Sequence, residues 1–131
     1  MTDDLLFVYG TLRRGGGRRM HGVLARGAEL VDLAVLRGQL FVVASYPGVV
    51  RSDRVEDVVH GEVYRLREPQ ALLRRLDRYE GCDPNDPSAP YRRSLERVTL
   101  AGGDEIRAWV YLYMQSTCAL RRIVSGDYLA R

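Results

Sequence analysis

The sequence predicts an α+β fold: one main helix with six or seven strands in a strongly curved, barrel-like sheet. Three observations lead there. A single segment, Glu68 to Tyr79, carries leucines at helical spacing. The other apolar runs are short, rich in β-branched residues and bounded by glycine or proline. The chain is 131 residues long, 46% hydrophobic and 28% charged. That is an ordinary globular balance with room for one domain, so residues 1–131 are expected to form one.

Asp4 to Tyr9 is a compact apolar run closed by Gly10, which predicts a buried strand ended by a turn. Arg13 to Arg19 holds Gly15, Gly16 and Gly17 among four arginines and is expected to be a mobile loop. Met20 to Ala25 suits one helical turn. Residues 28–36 and 38–43 read as two strands, Tyr46-Pro47-Gly48 as a turn, Val49-Val50 as a short strand and Val58 to Leu66 as another. In the main helix Pro69 suits the first turn and Leu72, Leu73, Leu76 and Tyr79 share a face. Gly81 stands where a C-terminal glycine cap belongs. Cys82 to Pro90 is an irregular, proline-rich loop. Arg92 to Leu100 and Glu105 to Met114 read as strands joined at Ala101-Gly102-Gly103-Asp104, and Ser125 to Arg131 as a last helical turn.

Composition narrows the function. No apolar run approaches the ~20 residues of a membrane span. Met1-Thr2-Asp3-Asp4 lacks the basic start of a secretory signal. A soluble cytoplasmic protein is expected, with no membrane partner. Two cysteines, Cys82 and Cys118, and two histidines, His21 and His60, are too few and too scattered for a metal site, and no metal or cofactor is expected. All 20 basic residues are arginine and the net charge is +3. They are interleaved with 17 acids, so no nucleic-acid partner is expected. Neither a serine-hydrolase elbow nor a phosphate-binding glycine loop is present.

Glu80 is the strongest candidate for chemistry. On a helix, Leu73, Leu76 and Glu80 lie within about 60° of one another, so the carboxylate continues the apolar stripe. It also sits at the helix C-terminus, where the macrodipole disfavours an anion. Both effects raise its pKa, as a general acid or base near neutrality requires. The same placement suits an ion pair with an arginine. Tyr9-Gly10-Thr11-Leu12 follows a strand and can present successive N–H groups to an anion, or be a simple turn. Trp109, Tyr111 and Tyr113 share one strand face; such a stripe lines a pocket or packs a core. Cys82 has no thiolate-stabilising partner in sequence and is expected to be inert.

These pieces, in order, resemble the γ-glutamylcyclotransferase-like family. The resemblance rests on Phe7-Val8-Tyr9-Gly10-Thr11-Leu12 with its basic loop, Tyr46-Pro47-Gly48, Val59-His60-Gly61-Glu62-Val63-Tyr64 and Leu76-Asp77-Arg78-Tyr79-Glu80-Gly81. Tyr91-Arg92-Arg93, Ala108-Trp109-Val110-Tyr111 and Ser125-Gly126-Asp127-Tyr128 complete it. It implies a small mixed β-barrel with short flanking helices. It further implies a cyclotransferase, in which the α-amine of a γ-glutamyl compound attacks its own γ-carbonyl and releases 5-oxoproline and an amine. Glu80 would be the general acid/base, Tyr9, Gly10, Thr11 and Leu12 the substrate-binding loop, and Tyr91 a pocket residue. The alternative is a non-catalytic module of the same fold that binds a small metabolite. The resemblance leaves open which γ-glutamyl compound is used, and the four arginines of the Arg13 to Arg19 loop hint at an anionic leaving portion.

Overall fold

A strand with large apolar side chains on both faces must be enclosed on both sides. Leu5–Val8 (β1) is such a strand: Phe7 packs into one apolar cluster, Leu6 and Val8 into another. The computed structural model describes residues 3–10, 19–44, 46–83 and 85–130. After β1 come α1 (Arg19–Gly27), β2 (Ala28–Val43), β3 (Tyr46–Arg51), β4 (Val58–Leu66) and α2 (Pro69–Glu80). Then follow β5 (Tyr91–Leu100), β6 (Glu105–Tyr113), β7 (Arg122–Ile123) and a 3₁₀ turn at Tyr128–Ala130.

Five strands close a barrel in the order β1-β4-β2-β3-β6 and back to β1. The contacts β1–β4, β4–β2 and β2–β3 are antiparallel, whereas β3–β6 and β6–β1 are parallel. Each barrel strand sends residues into one interior cluster, among them Phe7, Leu40, Val49, Val63 and Val110. Two strands lie outside the ring. β5 pairs with β6 from Tyr91↔Tyr113 to Thr99↔Glu105 and crosses to β2 at Ala34↔Leu100, and β7 pairs with β2 at Leu40↔Ile123. The helices cover the outer face near β1. Leu72, Leu73 and Leu76 of α2 and Val23 and Leu24 of α1 pack with Leu6, Val8 and Tyr111. Leu76 is fully buried; a leucine so placed stabilises the fold by about 2 kcal/mol.

The α+β barrel agrees with the sequence, but three elements differ from it. The strands expected at 28–36 and 38–43 are one, β2, because it changes partners without ending. Arg37 is its last residue paired with β4 and Gly38 its first paired with β3. The expected turn at Tyr46-Pro47-Gly48 is strand: Pro47 pairs with Val42, and the chain reverses just before, at Ala44 with φ 53°. An antiparallel pair needs N–H donors only at alternate residues, so a strand tolerates this proline. The expected single helical turn at 20–25 is the nine-residue α1. β7 has two residues, too few to leave a pattern. Most of the Arg13 to Arg19 loop lies outside the described residues; Arg19 begins α1. Among the described residues no helix is long and apolar enough to cross a membrane.

Candidate active site

Two chain ends meet at one rim of the barrel. Beyond β1 the backbone runs through Tyr9 and Gly10 over β3. A Cβ on Gly10 would stand 2.4 Å from Cγ of Pro47. Glycine is therefore required here by close approach rather than by a left-handed backbone. Opposite, α2 delivers Glu80 as its last residue. Gly81 adopts φ 69°, ψ 36° and ends the helix, and the Cys82 N–H returns to the Asp77 carbonyl at 2.9 Å. With Leu76 buried one turn earlier, this stop leaves Glu80 facing inward.

Between them is a narrow slot lined by Val8, Tyr9, Gly10, Tyr46, Pro47, Glu80 and Tyr111. Its enclosed part is about 20 Å³, space for about one ordered water. Tyr46 is 44% exposed. Burial first, and the neighbouring Asp77 carboxylate second, push the Glu80 carboxyl up to about 7. Near neutral pH it can hold or release a proton.

Three tyrosines surround it, and burial raises the pKa of each above the ordinary phenol, with Glu80 contributing in all three. They remain neutral hydrogen-bond donors. Tyr9 donates to the Tyr111 carbonyl at 2.5 Å. Tyr91 donates to the Pro47 carbonyl at 2.8 Å and meets Tyr113 edge-on at 5.5 Å. Tyr111 donates to Asp77 Oδ1 at 2.6 Å. Asp77 also receives Arg93 through Nε at 2.8 Å and its terminal nitrogen at 3.1 Å. The Arg93 guanidinium lies 4.3 Å above the Trp109 ring.

Of the residues singled out in the sequence, Glu80, Tyr9 and Gly10 line the slot together, and Tyr91 adjoins it through Pro47. Thr11 and Leu12 lie outside the described residues. Cys82 and Cys118 are free thiols, and burial raises the pKa of Cys82, as suits an inert one. Among the described residues no cluster of His, Cys, Asp or Glu could hold a metal ion. Sequence reasoning gave no role to Asp77, Arg93 or Pro47. Asp77 carried a usable signal, since a carboxylate at i−3 from Glu80 on a helix lies beside it. Tyr111 was visible only as part of an aromatic stripe.

Comparison with known proteins places this geometry in a family. The profile of the family described as "Gamma-glutamyl cyclotransferase, AIG2-like" matches residues 6–130. The gamma-glutamylcyclotransferase family protein YtfP of Escherichia coli is 33% identical over 128 residues, covering 96% of each chain. The human gamma-glutamylaminecyclotransferase is 35% identical over 106 residues, which is 73% of this chain and 62% of that one. A crystal structure of an aig2-like protein from Mus musculus superposes with a TM-score of 0.72 at 27% identity, covering 95% of this chain and 87% of that one. The chain belongs to the gamma-glutamyl cyclotransferase, AIG2-like family.

Proposed function

We propose that this member of the family is a cyclotransferase that opens a γ-glutamyl amide by ring closure within the substrate. The observation that carries the reading is Glu80, a carboxyl titrating at about 7 across a slot from Tyr9 and Gly10. The Glu80 carboxylate takes a proton from the substrate's α-ammonium. The freed amine attacks the γ-carbonyl, and a new C–N bond closes a five-membered ring. Glu80 returns the proton to the departing nitrogen as the original amide C–N bond breaks, and the second proton of the attacking nitrogen passes to the released amine, leaving 5-oxoproline and an ammonium. Nucleophile and electrophile are tethered, so the enzyme supplies orientation and proton transfer, and this route calls on no cofactor.

The N–H groups following β1, at residues 10–12, would hold the substrate. The human relative's name, gamma-glutamylaminecyclotransferase, makes γ-glutamylamines the first substrates to try, with γ-glutamyl amino acids beside them. Two free thiols suit the reducing cytoplasm, where we place the protein.

The test is a panel of γ-glutamyl compounds with 5-oxoproline as the readout. Glu80→Gln should fold and lose about a hundredfold or more in turnover. An N-acetylated γ-glutamyl compound should release nothing, because its nucleophile is blocked. Turnover by the glutamine variant at the wild-type rate would remove Glu80 from the mechanism. Release of 5-oxoproline from the acetylated compound would overturn the mechanism itself.

A further inference from the structure

Asp77 uses both carboxylate oxygens. Oδ1 accepts from Arg93 Nε and the Tyr111 hydroxyl, and Oδ2 accepts from the Arg93 terminal nitrogen. Two forked bonds and a short phenolic bond hold the carboxylate in one orientation. Arg93 is itself held, its flat guanidinium lying 4.3 Å over Trp109. Tyr111, at the other end, lines the slot, and its carbonyl accepts the Tyr9 hydroxyl. A continuous chain of contacts thus runs from Trp109 through Arg93, Asp77 and Tyr111 to Tyr9.

We propose that Asp77, clamped between Arg93 and Tyr111, is the positioning residue of this site. It fixes the Tyr111 ring as a wall of the slot and places a second carboxylate one helical turn from Glu80. Glu80 then retains the proton it takes from the substrate until the leaving nitrogen can accept it. This rests on the cyclotransferase reading of Glu80. A carboxyl of ordinary acidity would be a poor donor to a departing amine, since proton transfer works best when the catalytic pKa lies near the working pH.

The titratable and charged groups around Glu80 come from every neighbouring element. They are Asp77 on α2, Tyr9 after β1, Tyr46 on β3, Tyr91 and Arg93 on β5, Tyr111 on β6, and Cys82 beyond the cap. Burial raises the pKa of Tyr9, Tyr91, Tyr111 and Cys82. Asp77 and Arg93 are the ion pair of this set. Asp77 raises the Glu80 pKa, second to burial.

The experiment is a carbon NMR titration of the Glu80 side-chain carboxyl in the whole, glutamate-labelled protein, paired with the pH profile of kcat/KM on the best substrate of the panel. Asp77→Asn removes the charge and should lower the Glu80 midpoint by about one pH unit, the lower end of neighbouring-charge effects. The acid limb of kcat/KM should move with it, and kcat should fall about tenfold. Tyr111→Phe removes one donor from Asp77, leaves its charge less dispersed and should move the midpoint upward. A merely structural role predicts no such opposed pair of shifts. An unchanged Glu80 midpoint in folded Asp77→Asn overturns the proposal. If that variant does not fold, an unchanged or lowered midpoint in Tyr111→Phe does so. Wild-type protein that releases 5-oxoproline from no compound would sink the cyclotransferase reading instead, while the titration still decides what Asp77 does to Glu80.

Discussion

The Tyr9 hydroxyl donates to the main-chain carbonyl of Tyr111 across 2.5 Å, joining residues 102 positions apart. It fastens the end of β1, and with it Gly10, to the strand whose side chain grips Asp77. With its hydroxyl engaged by the protein, Tyr9 has its ring and main chain to offer a ligand.

Tyr9→Phe should therefore be a stability variant first. It leaves a buried carbonyl without its donor, which costs about 1–3 kcal/mol. Denaturant unfolding would show this as a lower midpoint at constant slope. An unchanged midpoint would mean the bond contributes nothing net.

Glu80 links activity and stability to pH with opposite signs. Its carboxyl is raised from 4.5 to about 7, so the folded protein holds that proton more tightly than the unfolded chain. The associated stability is complete below 4.5 and is lost as pH rises through about 7. The loss is at most about 3 kcal/mol. Activity that needs the carboxylate should rise across the same window. Glu80→Gln should lose about a hundredfold or more of the activity and gain relative stability at alkaline pH. Parallel melting and rate profiles check both signs at once; a wild type whose stability is flat over the window would contradict the burial argument.

Gly10→Ala tests the close approach at the rim. The added Cβ falls 2.4 Å from Pro47 Cγ, and overpacking of this kind costs about 1–3 kcal/mol. Both residues line the slot, so turnover should fall along with stability. Adding Pro47→Ala makes room and should return part of the stability. A double variant no better than the sum of the two single ones would place the strain elsewhere.

Away from the site, Asp57 should govern acid sensitivity. It is buried and accepts from Gln39 at 2.9 Å, Ser52 at 2.7 Å and Arg122 at 2.8 Å, which lower its pKa from 3.8 to about 2. Its contribution is present above 3.8 and disappears as pH falls through about 2. Asp57→Asn should lower the melting temperature at neutral pH and flatten its fall on acidification. An acid limb unaltered in the variant would assign that limb to other carboxylates.

Features that depend on near neighbours are legible in the order of the amino acids. α2 is written in the spacing of Leu72, Leu73 and Leu76, its start in Pro69 and its stop in Gly81. Those same signals set the inward direction of Glu80, because a helix face is fixed by period alone. The hairpin at 101–104 is equally local: the Leu100 N–H bonds the Asp104 carbonyl at 2.8 Å and Gly103 takes φ 101°. The surroundings of Glu80, by contrast, come from contacts between distant segments. Nothing local tells β2 to change partners between Arg37 and Gly38, or makes a strand of Pro47. Nothing local in Arg93 or Tyr111 points to Asp77, which lies 16 and 34 residues away. Those contacts exist because closing β6 against β1 carries the two side chains to the end of α2. Periodicity and capping act over one turn or one strand, whereas the proton affinity of a carboxyl depends on every charge and donor that the closed barrel brings within a few ångströms.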